Sequence, residues 1–266
     1  MDRRKLWRYV RRVWITLGLG STVVFVGWSL IAYRASSNAQ LARQSDSTVT
    51  VRHVDGVWSF IPRIGPAASS PALIFFPGAL VSPVAYAPLV RAAANAGFPA
   101  YIVELPRRGA FGGADDPALE LRFDRLLARS DTPRRWIIAG HSRGAVVAAR
   151  LAATQRAGFG GLVLIGTTHP RDVDLSALTA TVTKVVGTRD GIARPEDVEA
   201  NRAMLPPATH WVWVEGGNHS QFGWYGFQPL DRRATVPAAA QRTAMIRAVL
   251  DALGRVAVAP PASITR

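Results

Sequence analysis

The sequence predicts an α/β domain built on a mainly parallel, doubly wound sheet, with an antiparallel edge at its start and one transmembrane helix ahead of it. Three observations carry that expectation. Short apolar runs alternate with helix-like segments from Ala72 onward, the pattern of strands that helices cover on both faces. Gly140-His141-Ser142-Arg143-Gly144 stands where one such run, Trp136 to Ala139, gives way to a helix-like segment. Val13 to Tyr33 holds no charged residue.

At the N-terminus, MDRRKLWRYVRR contains six basic residues and one acid. At 1.5 Å per helical residue the uncharged run that follows is roughly 31 Å long, the thickness of a bilayer's hydrocarbon core. The basic flank favours a cytoplasmic N-terminus and places the body outside, and Trp14 at one end with Trp28 and Tyr33 at the other suits interfacial anchoring. The expected division is a basic cytoplasmic tail (1–12), a transmembrane signal anchor (13–33), a linker (34–46), one α/β domain (47–254) and a flexible tail (255–266). The alternative is a cleaved signal peptide and a secreted product, because Ser37-Asn38-Ala39 resembles a small-residue cleavage site.

Within the body, Ser47 to Val54 and Val57 to Arg63 alternate as two strands joined at Asp55-Gly56, a hairpin turn, and form the antiparallel edge. Pro66 to Pro71 reads as a loop and Ala72 to Phe76 as a buried strand. Val84 to Ala96 reads as a helix stopped by Gly97, Ala100 to Val103 as the next strand, and Asp115 to Arg129 as a helix. Trp136 to Ala139, Leu162 to Ile165, Val182 to Val186 and His210 to Val214 read as further buried strands, with Pro195 to Met204 and Pro237 to Leu253 as helices. Pro260-Pro261 marks a frayed end. About 16 residues separate the strand ending at Ile165 from the one leading to Asp190, too few for a helical cap, so an open site is expected.

A strand, Gly-x-Ser-x-Gly and a helix in succession make a nucleophile elbow: the glycines let backbone segments pack closely while the serine hydroxyl stays exposed. An acid and a base must follow in the chain, and each has a candidate after its own strand. Asp190 ends Val186-Gly187-Thr188-Arg189-Asp190, with Glu215 as its rival. His219 lies in the Gly-rich loop after Val214, whereas His53 and His210 sit in strands, His169 follows a different strand, and His141 should point into the scaffold.

With Phe76-Pro77-Gly78-Ala79 and Glu215-Gly216-Gly217-Asn218-His219-Ser220-Gln221-Phe222-Gly223, these motifs resemble the α/β-hydrolase superfamily. The resemblance covers roughly residues 70 to 250 and is to the small lidless bacterial branch of serine hydrolases related to dienelactone hydrolases and carboxylesterases. The chain departs from that branch at Arg143, where an apolar residue is usual, and at Ala145, where a second glycine is. The resemblance implies the α/β-hydrolase fold and a carboxylesterase-like reaction, with Ser142 as nucleophile, His219 as base and Asp190 as the acid that orients it. The tetrahedral oxyanion then needs two backbone donors. One is the Arg143 N–H; the other lies in Gly78-Ala79-Leu80, since Pro77 has none, and Ala79 is the choice. Phe222, Trp224, Tyr225 and Phe227 suit either a substrate pocket or a satellite core.

Other chemistries find no footing. The absence of cysteine removes disulfides, thiolate nucleophiles and Cys-based zinc sites together. No P-loop, dinucleotide fingerprint or His-Glu-x-x-His occurs, so neither a cofactor nor a metal is implied. The net charge of +14 is dispersed beyond the N-terminal tail, and only Lys5 and Lys184 are lysine, which argues for compositional skew over a nucleic-acid surface. The expected function is a membrane-anchored serine hydrolase acting on a small-molecule ester-like substrate; the alternative is a catalytically idle extracytoplasmic binding or scaffolding module.

Overall fold

The computed structural model describes residues 3–64, 70–129 and 132–258. The loop expected at Pro66 falls largely outside the described residues, as does the tail around Pro260-Pro261. Among the described residues eight strands form one sheet in the order β1-β2-β4-β3-β5-β6-β7-β8. They are β1 (Val49–Val54), β2 (Val57–Pro62), β3 (Ala72–Phe76), β4 (Ala100–Val103), β5 (Trp136–His141), β6 (Phe159–Ile165), β7 (Thr181–Gly187) and β8 (His210–Val214). The first two pair antiparallel around Asp55-Gly56, both at positive φ, and β2 pairs antiparallel with β4; all later pairs are parallel.

Helices cover both faces because alternate residues of each central strand point to opposite sides. Leu73 and Phe75 meet one face with Val90 of α3 (Ala87–Asn95) and Val249 of α7 (Ala238–Val258). Ile74 and Phe76 meet the other with Phe123 of α4 (Pro117–Leu127) and Ala148 of α5 (Arg143–Ala153). A further helix, α6 (Pro195–Ala200), is shorter than expected and continues only as a 3-10 turn. Among the described residues nothing pairs beyond β8, so this strand, expected to be buried, is the half-exposed edge and buries only Val214.

Ahead of the sheet, α1 (Arg3–Ala32) is long and apolar enough to cross a membrane and exposes nearly all its side chains. Residues 34–46, expected as a linker, instead contain α2 (Ser37–Ala42). Its Ala39 is fully buried, and Arg91 of α3 donates to the Ala42 carbonyl at 2.6 Å and to Asp46 at 2.7 Å. A short stretch rich in small residues shows weak helical periodicity, so tertiary packing decided its form.

Lys184 in β7 is fully buried, and its ammonium donates to the His169 carbonyl. Burial pulls its pKa from 10.5 down to about 7. Between those values the unfolded chain holds a proton that the folded chain has released, so unfolding takes one up and stability rises with pH, by about 1.4 kcal/mol per unit. Chemical unfolding in detergent at pH 7, 8 and 9 is expected to show this slope in the wild type and not in Lys184→Met; equal slopes would remove Lys184 as its source.

Candidate active site

The elbow forms at the C-terminal end of β5, where the chain must turn from strand to helix within one residue. Ser142 takes φ 53° and ψ −118°, a strained backbone for a non-glycine residue, and its N–H is bonded to the Ile165 carbonyl of β6 at 3.0 Å. The glycines on either side are required by proximity. A Cβ on Gly140 would overlap the Gly144 carbonyl, and one on Gly144 would overlap the carbonyl of Phe76 at the end of β3.

Asp190 and His219 come together although 29 residues separate them. Their strands β7 and β8 are parallel neighbours, so the loops leaving both emerge on the same edge of the sheet as the elbow. His219 Nδ1 lies 2.8 Å from Asp190 Oδ2, with both side chains buried. The other Asp190 oxygen accepts the N–H groups of Ile192 and Ala193 at 2.8 and 2.6 Å. The rival acid Glu215 is exposed and, among the described residues, accepts only from Thr188, at 3.2 Å. His219 Nε2, the nitrogen a base would use, is buried and has no hydrogen-bond partner among the described residues. The structure therefore joins acid to base, while no hydrogen bond yet joins the base to Ser142; such bonds often tighten only when substrate binds.

The backbone donors sort themselves by elimination. Gly78 N–H is spent on the Tyr86 hydroxyl at 3.2 Å and Leu80 N–H on the Arg108 carbonyl at 2.8 Å. Ala79 N–H and Arg143 N–H have no hydrogen-bond partner among the described residues. They are the two selected from sequence for the oxyanion. The Arg143 side chain is exposed at the start of α5.

Three supports were not visible in sequence. Asp231 ties the acid loop to the base loop: one oxygen accepts from Gly191 N–H at 3.0 Å and His219 N–H at 3.3 Å, the other from the Ser220 N–H and hydroxyl at 2.8 and 2.7 Å. Gln241 of α7, fully buried, brackets Asn218 by accepting its N–H at 3.0 Å and donating to its carbonyl at 2.6 Å. His141 points into the scaffold as expected, yet its ring also packs 4.6 Å from that of His219 and its Nδ1 is 2.8 Å from the Tyr86 hydroxyl. Burial, reinforced by His219, holds the His141 pKa well below its ordinary value, so it underlies the base as a neutral ring. The aspartate-glycine composition of 190–191 and the Gly-rich loop hinted at turns; nothing hinted at their partners. Phe222, Trp224 and Tyr225 are core, and Phe227 is half-exposed.

With this geometry in view, the comparison that decides the family is a family model described as alpha/beta hydrolase, which matches residues 72–243. The chain belongs to the alpha/beta hydrolase family. No curated protein sequence matches this hydrolase. Its fold is similar to that of dienelactone hydrolase from Anabaena variabilis, at 17% identity and a TM-score of 0.57, over 76% of this chain and 96% of that one. It is similar also to an α/β serine hydrolase without a lid from Xanthomonas campestris, at 17% identity and a TM-score of 0.54, over 82% and 99%. A third likeness, to a membrane phospholipase A, has 14% identity and a TM-score of 0.58 over 95% and 99%. At such identities these likenesses establish the fold. In keeping with the second, β6 leads to β7 in this hydrolase without any intervening helix.

Proposed function

We propose that this hydrolase is a membrane-anchored serine esterase that works through Ser142, His219 and Asp190. The observation that carries the reading is the buried Asp190–His219 pair at the same sheet edge as the strained Ser142 elbow. A serine hydroxyl is a weak nucleophile near neutral pH, so His219 Nε2 takes its proton as the oxygen attacks the ester carbonyl. Asp190 holds the imidazole in the tautomer with Nδ1 protonated and stabilises the imidazolium. Negative charge develops on the carbonyl oxygen and is met by the N–H groups of Ala79 and Arg143. His219 then protonates the leaving alcohol, and water enters by the reverse sequence to free the acid.

A fluorophosphonate probe tests the nucleophile. Labelling of the wild type and its loss in Ser142→Ala is the expected result; a folded but unlabelled wild type would identify the idle binding module instead.

Residues 13–33 serve as the anchor in this reading, with 1–12 in the cytoplasm and the hydrolase domain outside. The burial of Ala39 within α2 supports retention of the anchor over cleavage at that residue. A reporter active only outside the cytoplasm, fused to the C-terminus, is expected to be active while alkaline carbonate leaves the protein in the membrane. A soluble product beginning near Gln40 would establish cleavage, and a reporter active only in the cytoplasm would reverse the orientation.

A further inference from the structure

The exit of α1 is bonded into the catalytic end of the domain at three backbone points. Gly226 N–H donates to the Ala32 carbonyl at 3.0 Å, Ser82 N–H to the Tyr33 carbonyl at 3.0 Å, and Ser36 N–H to the Trp224 carbonyl at 2.8 Å. Tyr33 itself is buried, edge-on to Tyr225 with ring centroids 5.9 Å apart. These contacts fall on the two loops that form the site. Ser82 lies three residues after Ala79, and Trp224 five residues after His219. A chain extends at most about 3.6 Å per residue, so Ala79 lies within about 11 Å of Ser82 and His219 within about 18 Å of Trp224. Both walls of the site are therefore tied, through a few residues of chain and one hydrogen bond each, to the segment where the apolar helix ends.

The surface beside that point has the chemistry of a bilayer interface. Phe227, next after the bonded Gly226, is half-exposed, and Leu230 is 90% exposed. The Leu230 carbonyl packs against Gly191, which brings exposed Ile192 into the same rim. Next to them a cavity of about 540 Å³ is lined by Phe227, Ala234 and Ala238 together with Arg233 and Arg242. Arg242 is held there over the Trp224 ring at 4.9 Å while it donates to the Gly223 carbonyl at 2.9 Å. Apolar tips enter the acyl boundary of a bilayer, and guanidinium groups meet its phosphates.

We propose that the mouth of the site faces the bilayer that holds α1, and that the substrate is the acyl ester of a membrane-resident lipid, taken from the bilayer directly. This rests on the serine esterase and anchor readings above. Ser142 Oγ bonds to the acyl carbonyl carbon, the bond from that carbon to the lipid's alcohol oxygen breaks, and the alcohol leaves with the proton that His219 took from Ser142. Water then cleaves the acyl-serine bond, releasing a fatty acid and restoring Ser142. Ester and water become alcohol and acid, with no further reactant.

The full-length protein is reconstituted into vesicles of non-hydrolysable ether phosphatidylcholine and phosphatidylglycerol that carry a fluorogenic diacyl phospholipid, and p-nitrophenyl butyrate is offered to the same vesicles from solution. The fluorogenic lipid is expected to be hydrolysed about tenfold or more faster in the protein's own vesicles than in separate ones, because co-residence raises its effective concentration. The rate should follow the lipid's mole fraction in the bilayer, hold per enzyme when the suspension is diluted, and vanish in Ser142→Ala. Butyrate hydrolysis without lipid hydrolysis, or equal rates for lipid in separate vesicles, would overturn the proposal and leave the esterase reading standing. Loss of both activities in a folded wild type would overturn the esterase reading and the proposal with it.

Discussion

Ser142→Ala and His219→Ala are each expected to lower kcat/KM on a soluble ester by roughly 10⁴- to 10⁶-fold, and the double variant to be no slower than the worse single one. Nucleophile and base act as one unit: without the imidazole the hydroxyl keeps its proton, and without the hydroxyl the imidazole has nothing to activate. A residual rate is expected from the proposed oxyanion donors, the Ala79 and Arg143 N–H groups, which survive both changes. Asp190→Asn is expected to cost about 10⁴-fold, because the amide no longer fixes the imidazole tautomer. Glu215→Gln, at an exposed position that accepts from Thr188, should leave the rate unchanged. Two outcomes count against the assignment: a double variant far slower than either single, and a Glu215→Gln defect where Asp190→Asn has none.

Gly144→Ala is expected to be the most damaging single methyl that can be added to the molecule's site. Its Cβ would overlap the Phe76 carbonyl and lie 2.5 Å from that of Pro77, both backbone atoms at the root of the loop that carries Ala79. Neither can swing aside as a side chain would, so the strand end and the first turn of α5 must part. Overpacking costs typically about 1–3 kcal/mol, and a rigid backbone contact belongs at the upper end. For a domain of this size that lowers Tm by roughly 6–12 °C. Displacing the oxyanion donors by about 1 Å costs a further 10²-fold or so in turnover. Gly254→Ala supplies the contrast: the Cβ meets nothing within 4 Å inside α7, and alanine's better helix propensity should stabilise by about 0.5–1 kcal/mol. A Gly144→Ala protein with wild-type Tm and activity would show that the elbow does not need this close approach.

Much of the fold was legible because its causes are local. Residues 72–76 and 100–103 are strands at the bounds read from their apolar runs, and Asp55-Gly56 turns the hairpin as a residue pair that tolerates positive φ must. The placement of Ser142, Asp190 and His219 at one sheet edge was legible for a related reason: parallel strands joined by helices deliver successive loops to one edge, so residues just after β5, β7 and β8 are brought to the same edge by topology alone. Helix ends were less legible. Val84 to Ala96 divides into a 3-10 turn and α3, because Pro88 fits the first turn of a new helix better than the interior of an old one.

What the sequence by itself determined is thus the order of strands and helices from β1 onward and the strand-turn-helix around Ser142, since each follows from backbone conformations and periodicities carried within a few residues. Only the tertiary structure set Asp190 and not Glu215 against His219, packed Asp231, Gln241, Tyr86 and His141 around them, and turned residues 37–42 into a helix whose neighbours bind the loops after β3 and β8. These outcomes depend on which loop ends meet across 11 to 55 residues of chain, where a carboxylate or a hydroxyl has many potential partners. Packing selects among them by satisfying buried donors and acceptors together, and that condition exists only once the sheet has formed.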